Sequence, residues 1–233
     1  MALSLTGSSE DAYQTYFKNT KKDSEHICIQ NSFESDGESY KNHFRLIPFR
    51  NKLVLFLMDG PDEEIKEWYE LGEKVDRTST QILFPRRIFG FFIDGMIGLS
   101  FARKYTDERE MWEEVGNSMI SKFQRWRESS EWNFANKLSL LLAERYFLEG
   151  DQENAFEHYD KAIKYACDHR FIHEEGLANV AAAKCCLHFG RTKEALEYYN
   201  KAKDCYTRWG ATALVRIIDK RCCNLTNSVS MSM

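Results

Sequence analysis

The sequence predicts an all-α protein in which helical hairpins stack into an array that ends in a capping helix. Three observations lead to this fold class. The three prolines are Pro48, Pro61 and Pro85, so the chain after Pro85 can stay helical between glycine turns. A pattern of small and aromatic residues recurs, with 40 residues between Gly150 and Gly190. A content of 29% charged and 14% aromatic residues is typical of a chain with a packed core.

The pattern is clearest in the segments 150–166, GDQENAFEHYDKAIKYA, and 190–206, GRTKEALEYYNKAKDCY. Each has a glycine, then alanine, tyrosine and alanine at the same spacing: Gly150, Ala155, Tyr159, Ala162 and Gly190, Ala195, Tyr199, Ala202. A small residue lets two helices approach closely, and the aromatic ring fills the groove beside the crossing. The two segments therefore predict the second helix of two successive hairpins.

Two earlier segments fit the same template less closely. One places its pattern at Gly60, Ile65, Tyr69 and Gly72, with Pro61 as first helical residue. The other places it at Thr106, Met111, Val115 and Ser118, with Asp107 as the expected N-cap and Glu110 as its capping-box partner. One hairpin cannot bury its apolar face alone, so neighbouring hairpins are expected to stack.

The helices predicted before Gly150 and before Gly190 would each supply the other half of a hairpin. These helices lie in the segments 136–150, NKLSLLLAERYFLEG, and 177–190, LANVAAAKCCLHFG. Each segment carries small residues, a residue suited to the core and a closing glycine. Together with the segments above, they resemble the tetratricopeptide repeat, which implies an α-solenoid. The tryptophan of that repeat is missing at Ser139 and Asn179, so these copies are divergent.

The predicted boundaries follow from composition and periodicity. Residues 1–38 are polar and are expected to be weakly ordered, and residues 39–224 form the repeat domain. Its last helix, within 209–222, carries Leu214, Ile217 and Ile218 on one face and is expected to cap the array. Residues 225–233 are expected to form a disordered tail.

A broader resemblance rests on NKLSLLLAE (136–144), YDKAI (159–163), FIHEEGLAN (171–179) and the closing Tyr206, Trp209, Gly210 and Ala211. The stretch 111–126, MWEEVGNSMISKFQRW, also fits. These motifs resemble the helical-repeat region of very large signalling proteins, which also contain a kinase-like domain, an ATPase domain, a GAF domain and a histidine kinase or cyclase. The chain shows none of those catalytic signatures. The resemblance therefore implies a regulatory or scaffolding module.

The densest group of reactive side chains lies in CDHRFIHEEGLA (167–178). Cys167, His169 and His173 would supply three zinc ligands, but the repeat register spreads them around a turn. We therefore interpret this segment as a helix start whose first turn carries Glu174 and Glu175.

Two further chemical readings have weaker support. Cys185 and His188 have the i,i+3 spacing of a nucleophile and base, without an oxyanion motif. Gly90, Gly95 and Gly98 lack the Lys-Ser/Thr of a phosphate loop. We expect no metal, no cofactor and no enzymatic activity.

Charge and hydropathy narrow the classes of partner. A net charge of −4 and a pI near 5.9 argue against nucleic acid, because phosphate binding needs a basic surface. The most apolar stretch, 88–102, is too short to span a bilayer and contains Asp94. Seven cysteines without a CxxC motif or a recognisable secretory segment indicate a reduced, cytoplasmic protein.

The predicted function is a non-catalytic protein–protein interaction or scaffolding module that binds a protein or peptide. The alternative is a structural segment between the domains of a larger signalling protein, which binds nothing in trans. In a helical-hairpin array the first helix of each pair lines the concave face. In the usual repeat register, the candidate partner-binding residues on that face are Lys137, Glu144, Phe147, Lys184 and His188.

Overall fold

A computed structural model describes the conformation of residues 51–77 and 84–231, and all regular structure within these ranges is helical. A helical stretch covers residues 51–57. It is followed by α1 (Asp62–Arg77), α2 (Phe84–Lys104), a short 3-10 helix (Thr106–Glu108), α3 (Arg109–Ser129), α4 (Glu131–Glu149), α5 (Gln152–Asp168), α6 (Ile172–His188), α7 (Thr192–Trp209) and α8 (Thr212–Met231). Within these ranges, no helix is both long enough and apolar enough to cross a bilayer.

The chain divides into two compact units at Gly90. In the first unit, Leu53, Ile65 and Trp68 are buried, and the Lys52 ammonium lies 5.3 Å from the centre of the Tyr69 ring. The buried ring of α1 is thus Trp68, while Tyr69 is only partly covered. The template position at Tyr69 is therefore not the core position. The predicted N-terminal segment 1–38 lies outside the described residues.

The second unit is a series of helices in which each packs against its neighbours in sequence. Helix α4 packs against α3 and α5, and α6 packs against α5 and α7, while α8 packs on α7. The two first helices α4 and α6 also contact each other. This arrangement of sequential pairs is consistent with an array of helical hairpins.

Left-handed glycines form three of the turns between these helices. Gly150, Gly190 and Gly210 have φ of 78°, 72° and 79°, which glycine adopts without the steric cost of a Cβ. The glycine turns predicted at Gly150 and Gly190 are therefore confirmed, but the turn from α5 to α6 has Arg170 in the left-handed region, with φ of 61°, and no glycine. Directly after Gly150, the Asp151 carboxylate caps α5 by accepting a hydrogen bond of 3.1 Å from the Asn154 backbone N–H.

The second helices α3, α5 and α7 bury residues at the same spacing. The shared positions follow each other at intervals of four, three and four residues: Trp112, Gly116, Met119, Phe123; Ala155, Tyr159, Ala162, Ala166; and Ala195, Tyr199, Ala202, Tyr206. The rings of Tyr159, Tyr199 and Tyr206 are almost wholly buried. In α3 the sizes of the first two positions are exchanged, with tryptophan first and glycine second.

The predicted register in α3 is wrong by one residue. Met111 is 51% exposed, and the neighbouring Trp112 is the buried residue. The predicted N-cap at Asp107 is also wrong, because Asp107 belongs to the 3-10 helix and α3 begins at Arg109 without a side-chain cap. The bulky Trp112 takes the position where the template has a small residue, and this exchange conceals the register in the sequence.

Glycines bring α2 and α3 into close contact. A Cβ added at Gly98 would lie 2.8 Å from the Trp112 carbonyl oxygen and 2.9 Å from the Gly116 nitrogen. A Cβ at Gly116 would lie 2.6 Å from Leu99. The glycines of the apolar stretch therefore serve helix packing, as the sequence indicated.

The last helix covers the end of the array. Leu214 and Ile218 of α8 are each 2% exposed, and Ile217 is partly covered. The Lys203 ammonium on α7 pairs with the Asp219 carboxylate on α8 at 2.5 Å. Helix α8 continues to Met231 and so extends into the segment for which the sequence predicts a tail.

Gly98→Ala tests the close contact of α2 with α3. Alanine ordinarily favours a helix over glycine by about 1 kcal/mol. Here the added methyl meets backbone atoms, so we expect the free energy of unfolding in urea to fall by roughly 1–3 kcal/mol. The control Ser118→Ala, at an exposed position of α3, should change it by less than about 0.5 kcal/mol. Unchanged or increased stability of Gly98→Ala would contradict the packing.

Candidate partner-binding face

The structure separates the five predicted partner-binding residues into two groups. Lys137, Glu144 and Phe147 are buried, with 6%, 4% and 5% of their surface exposed. Lys184 and His188 are exposed on α6. The first three residues contact other helices of the array, and the last two lie at its surface.

Lys137 forms a buried ion pair with Glu174 between α4 and α6. Its ammonium lies 2.8 Å from the Glu174 carboxylate, 3.0 Å from the Asn133 carbonyl oxygen that accepts its hydrogen bond, and 4.7 Å from the centre of the Phe171 ring. The Asn136 side-chain amide donates to the same carboxylate. Both charges are thus compensated within the chain, which is the condition for burying them.

The environment of Glu174 holds its carboxyl in the charged form. Burial alone raises the pKa, but the hydrogen bond from His173 and the charge of Lys137 outweigh burial, so the pKa of Glu174 lies below its usual value. The His173 imidazole nitrogen lies 3.5 Å from the second oxygen of this carboxylate. Glu174 therefore joins α4 to α6 as an anion.

Glu144 lies at the centre of a second polar group, toward the other end of α4. One carboxylate oxygen pairs with the Arg103 guanidinium of α2 at 2.9 Å, and the other accepts a hydrogen bond of 2.7 Å from the Tyr159 hydroxyl of α5. Burial, followed by the charge of Glu144, raises the pKa of Tyr159 well above its usual value. Glu144 thus connects three helices.

Phe147 joins this polar group to the exposed surface of α6. The Arg103 guanidinium lies 3.8 Å from the centre of the Phe147 ring, within the range of a cation–π contact. The His188 ring meets the same phenyl ring at 5.1 Å with an interplanar angle of 71°. Arg103, Phe147 and His188 therefore form one continuous contact across α2, α4 and α6, which we call the end cluster.

Helix α6 is buried along most of its length. Within α6, all of which the structure describes, only Lys184 and His188 are exposed. They are one turn apart and share a face. Lys184 therefore lies one turn before His188 of the end cluster, on the exposed face of α6.

His169 and His173, two of the three residues considered as zinc ligands, take part in two separate ring contacts. The His169 ring stacks on Trp132 at 4.0 Å, and the His173 ring stacks on Trp209 at 5.2 Å, so an imidazole–indole stack closes the open end of the α4/α5 pair and of the α6/α7 pair. Cys167 is exposed. In the described part of the chain, no three side chains of His, Cys, Asp or Glu are grouped so that they could hold a metal. The interpretation of this segment as the start of a helix is confirmed, since α6 begins at Ile172.

Both cysteines of α6 are buried side chains. Burial, followed by the charge of Glu144, raises the pKa of Cys185 to about 12, and burial raises the pKa of Cys186 to about 11. An activated nucleophile requires the opposite shift. Both thiols fill the core, as predicted for Cys186.

Arg103 is the main residue that the sequence reasoning missed. It lies in the last turn of α2, where a basic residue ordinarily complements the helix dipole. Spacing in the sequence contains the missing signal, because Arg103, Glu144 and Lys184 are separated by 41 and 40 residues, close to the 40 residues between Gly150 and Gly190. Asn136, which is 3% exposed, gave no such signal.

Comparison of the chain with protein-family models, with curated proteins and with solved structures gave no match. No family is therefore identified. The structure shows an all-helical array of sequentially packed pairs. The resemblance to the tetratricopeptide repeat and to large signalling proteins stays a prediction.

Replacing the partners of the Lys137–Glu174 pair singly and together tests its role. Lys137→Met leaves Glu174 buried without its cation, so we expect a loss of about 3–5 kcal/mol in the free energy of unfolding. Adding Glu174→Leu should recover most of this loss, because no lone buried charge remains. The control Lys164→Met removes a pair whose side chains are 74% and 51% exposed, and should cost less than about 1 kcal/mol. Equal losses for Lys137→Met and the control would refute the buried pair.

The lowered pKa of Glu174 predicts a pH-dependent contribution to stability. A carboxyl whose pKa is lower in the folded than in the unfolded state stabilises the fold above the unfolded value of about 4.3, and this contribution disappears as the pH falls through the folded pKa. Wild-type chain should therefore lose more stability than Glu174→Gln between neutral and acidic pH. Urea unfolding at a series of pH values measures the difference, and parallel profiles would contradict it.

Proposed function

We propose that this chain is a non-catalytic protein-interaction or scaffolding module of a signalling system, built from divergent tetratricopeptide-like hairpins. The observation that carries the proposal is the common spacing of buried residues in α3, α5 and α7, each following a first helix. Stacked hairpins of this type form a continuous core and present the first helices on one side as an extended binding surface.

Contacts between the first helices support this assignment. Helices α4 and α6 touch directly and share the Lys137–Glu174 pair, as expected when one hairpin stacks on the next. Segments that carry the resemblance to large signalling proteins lie in these helices and their turns. FIHEEGLAN begins α6, and Trp209 and Gly210 form the turn into α8.

The partner is expected to dock on the exposed part of the predicted face, at Lys184 and His188. Lys137 and Glu144 cannot be primary contacts, because their charges are already compensated inside the array. The free thiols of Cys185, Cys186 and Cys205 are in keeping with a reducing, cytoplasmic location.

One observation favours the alternative function as a structural segment between domains. Lys137, Glu144 and Phe147, three of the five predicted partner-binding residues, hold helices of the array together. A segment that maintains the distance between neighbouring domains needs such internal cohesion and no surface for a separate partner. The two functions differ in what lies against His188 in the cell.

A photo-crosslinking residue at position 188 separates the two functions. In cells that express the full chain, we expect a discrete crosslink to another polypeptide, which excess unmodified chain competes away. The same residue at the exposed position 193 of α7 should give no such product. Crosslinks only within one polypeptide would favour the structural role, and identical products from both positions would refute docking at this face.

A further inference from the structure

We propose that His158 makes the α4/α5 pair sensitive to pH, so that the pair opens more readily when the solution becomes mildly acidic. The inference concerns a conformational property of the fold and does not rest on the proposed function. It starts from the contact between the His158 ring of α5 and the Tyr146 ring of α4, which stack with 5.2 Å between their centres and 25° between their planes.

This stack lies beside the turn that joins the two helices. Tyr146 is in the last turn of α4, and its carbonyl oxygen accepts a hydrogen bond of 2.9 Å from the Asp151 backbone N–H. At the opposite end of the same pair, the His169 ring stacks on Trp132. Imidazole contacts therefore hold the pair at both ends, and the one at the turn adjoins Phe147 of the end cluster.

The surroundings of His158 suit a neutral ring better than a protonated one. Its Nδ1 atom is buried and has no hydrogen-bond partner among the described residues. A neutral imidazole can leave Nδ1 without a proton, whereas an imidazolium donates from both nitrogens. Protonation would thus place a charged N–H group where it meets neither water nor an acceptor, which disfavours the charged form.

Burial and a neighbouring cation lower the pKa of His158. Burial acts most strongly, the charge of Lys161 adds to it, and the opposing charge of Glu157 does not offset them. Lys161 and Glu157 lie on α5 and pair with each other at 2.5 Å, and Arg145 and Glu149 at the end of α4 pair at 2.7 Å. Helix α6 also packs against α5, but none of its charged groups shifts this pKa. The pH response is therefore determined within the α4/α5 pair.

The direction of the response follows from the lowered pKa. A histidine whose pKa is lower in the folded than in the unfolded state stabilises the fold above the unfolded value of about 6.5, and this contribution is lost as the pH falls through the folded pKa. A cation–π contact of the imidazolium with the Tyr146 ring acts in the opposite direction. If that contact dominated, the folded pKa would lie above the unfolded one and acid would tighten the pair.

An NMR titration of the His158 ring in the full chain measures the sign of this shift directly. We expect the titration midpoint to lie below about 6.5, the value of an unperturbed histidine. A midpoint at or above that value would overturn the inference. The titration uses the wild-type chain, so its result does not depend on whether any variant folds.

Hydrogen exchange, corrected for the pH dependence of the intrinsic rate, measures opening of the pair. Between about pH 7.5 and about pH 5.5, amides near Tyr146 and His158 should gain exchange relative to those of α7. His158→Phe keeps an aromatic ring for the stack but cannot be protonated, so this gain should disappear. The control His188→Phe makes the same change at an exposed position of α6 and should respond as wild type does.

An equal gain of exchange in His158→Phe and wild type would overturn the inference, as would a gain that is uniform over all helices. The chosen pH range lies above the unfolded value of about 4.3 for a glutamate, so protonation of Glu174 does not produce the effect. Urea unfolding at neutral pH verifies that both variants are folded before their exchange is compared.

Discussion

The charged side chains inside the array impose the constraint on which the rest of the structure depends. Helices α4 and α6 are buried around most of their circumference, yet they carry Lys137, Glu144 and Glu174. A buried charge must be compensated by a partner nearby, because it has lost its water. Each of these buried charges pairs with a residue of another helix, so the position of one helix determines the position of the next.

Packing and electrostatics reinforce each other along the chain. Glu144 brings together α2, α4 and α5 through Arg103 and Tyr159, and Glu174 joins α4 to α6. Small residues allow the close contacts that such short polar distances require. A Cβ at Gly176 would lie 2.7 Å from the Tyr206 ring of α7. The same compensation removes two of the predicted binding residues, Lys137 and Glu144, from the surface, whereas Lys184 and His188 are exposed.

Periodicity in the sequence predicted most of the helices but not which polar residues are buried. The glycine turns, the buried tyrosines of α5 and α7 and the helix start at α6 follow from local spacing and residue size. The register of α3 could not be read in this way, because Trp112 and Gly116 exchange the usual order of large and small residues. Burial of Glu144 depends on its ion pair with Arg103, which lies 41 residues earlier in the chain. An acidic residue considered without its partner is expected to be exposed to solvent.

Hydrogen–deuterium exchange along the full chain tests most directly whether α6 is the central, buried helix of a cooperative array. We expect the amides of α4 and α6 to exchange slowest and those of α8, which covers only one end of the array, to exchange faster. We also expect Glu174→Gln to accelerate exchange in both α4 and α6, since that carboxylate joins them. Exchange in α6 as fast as in α8, or acceleration confined to α6, would show that α6 is not the central helix of a cooperative array.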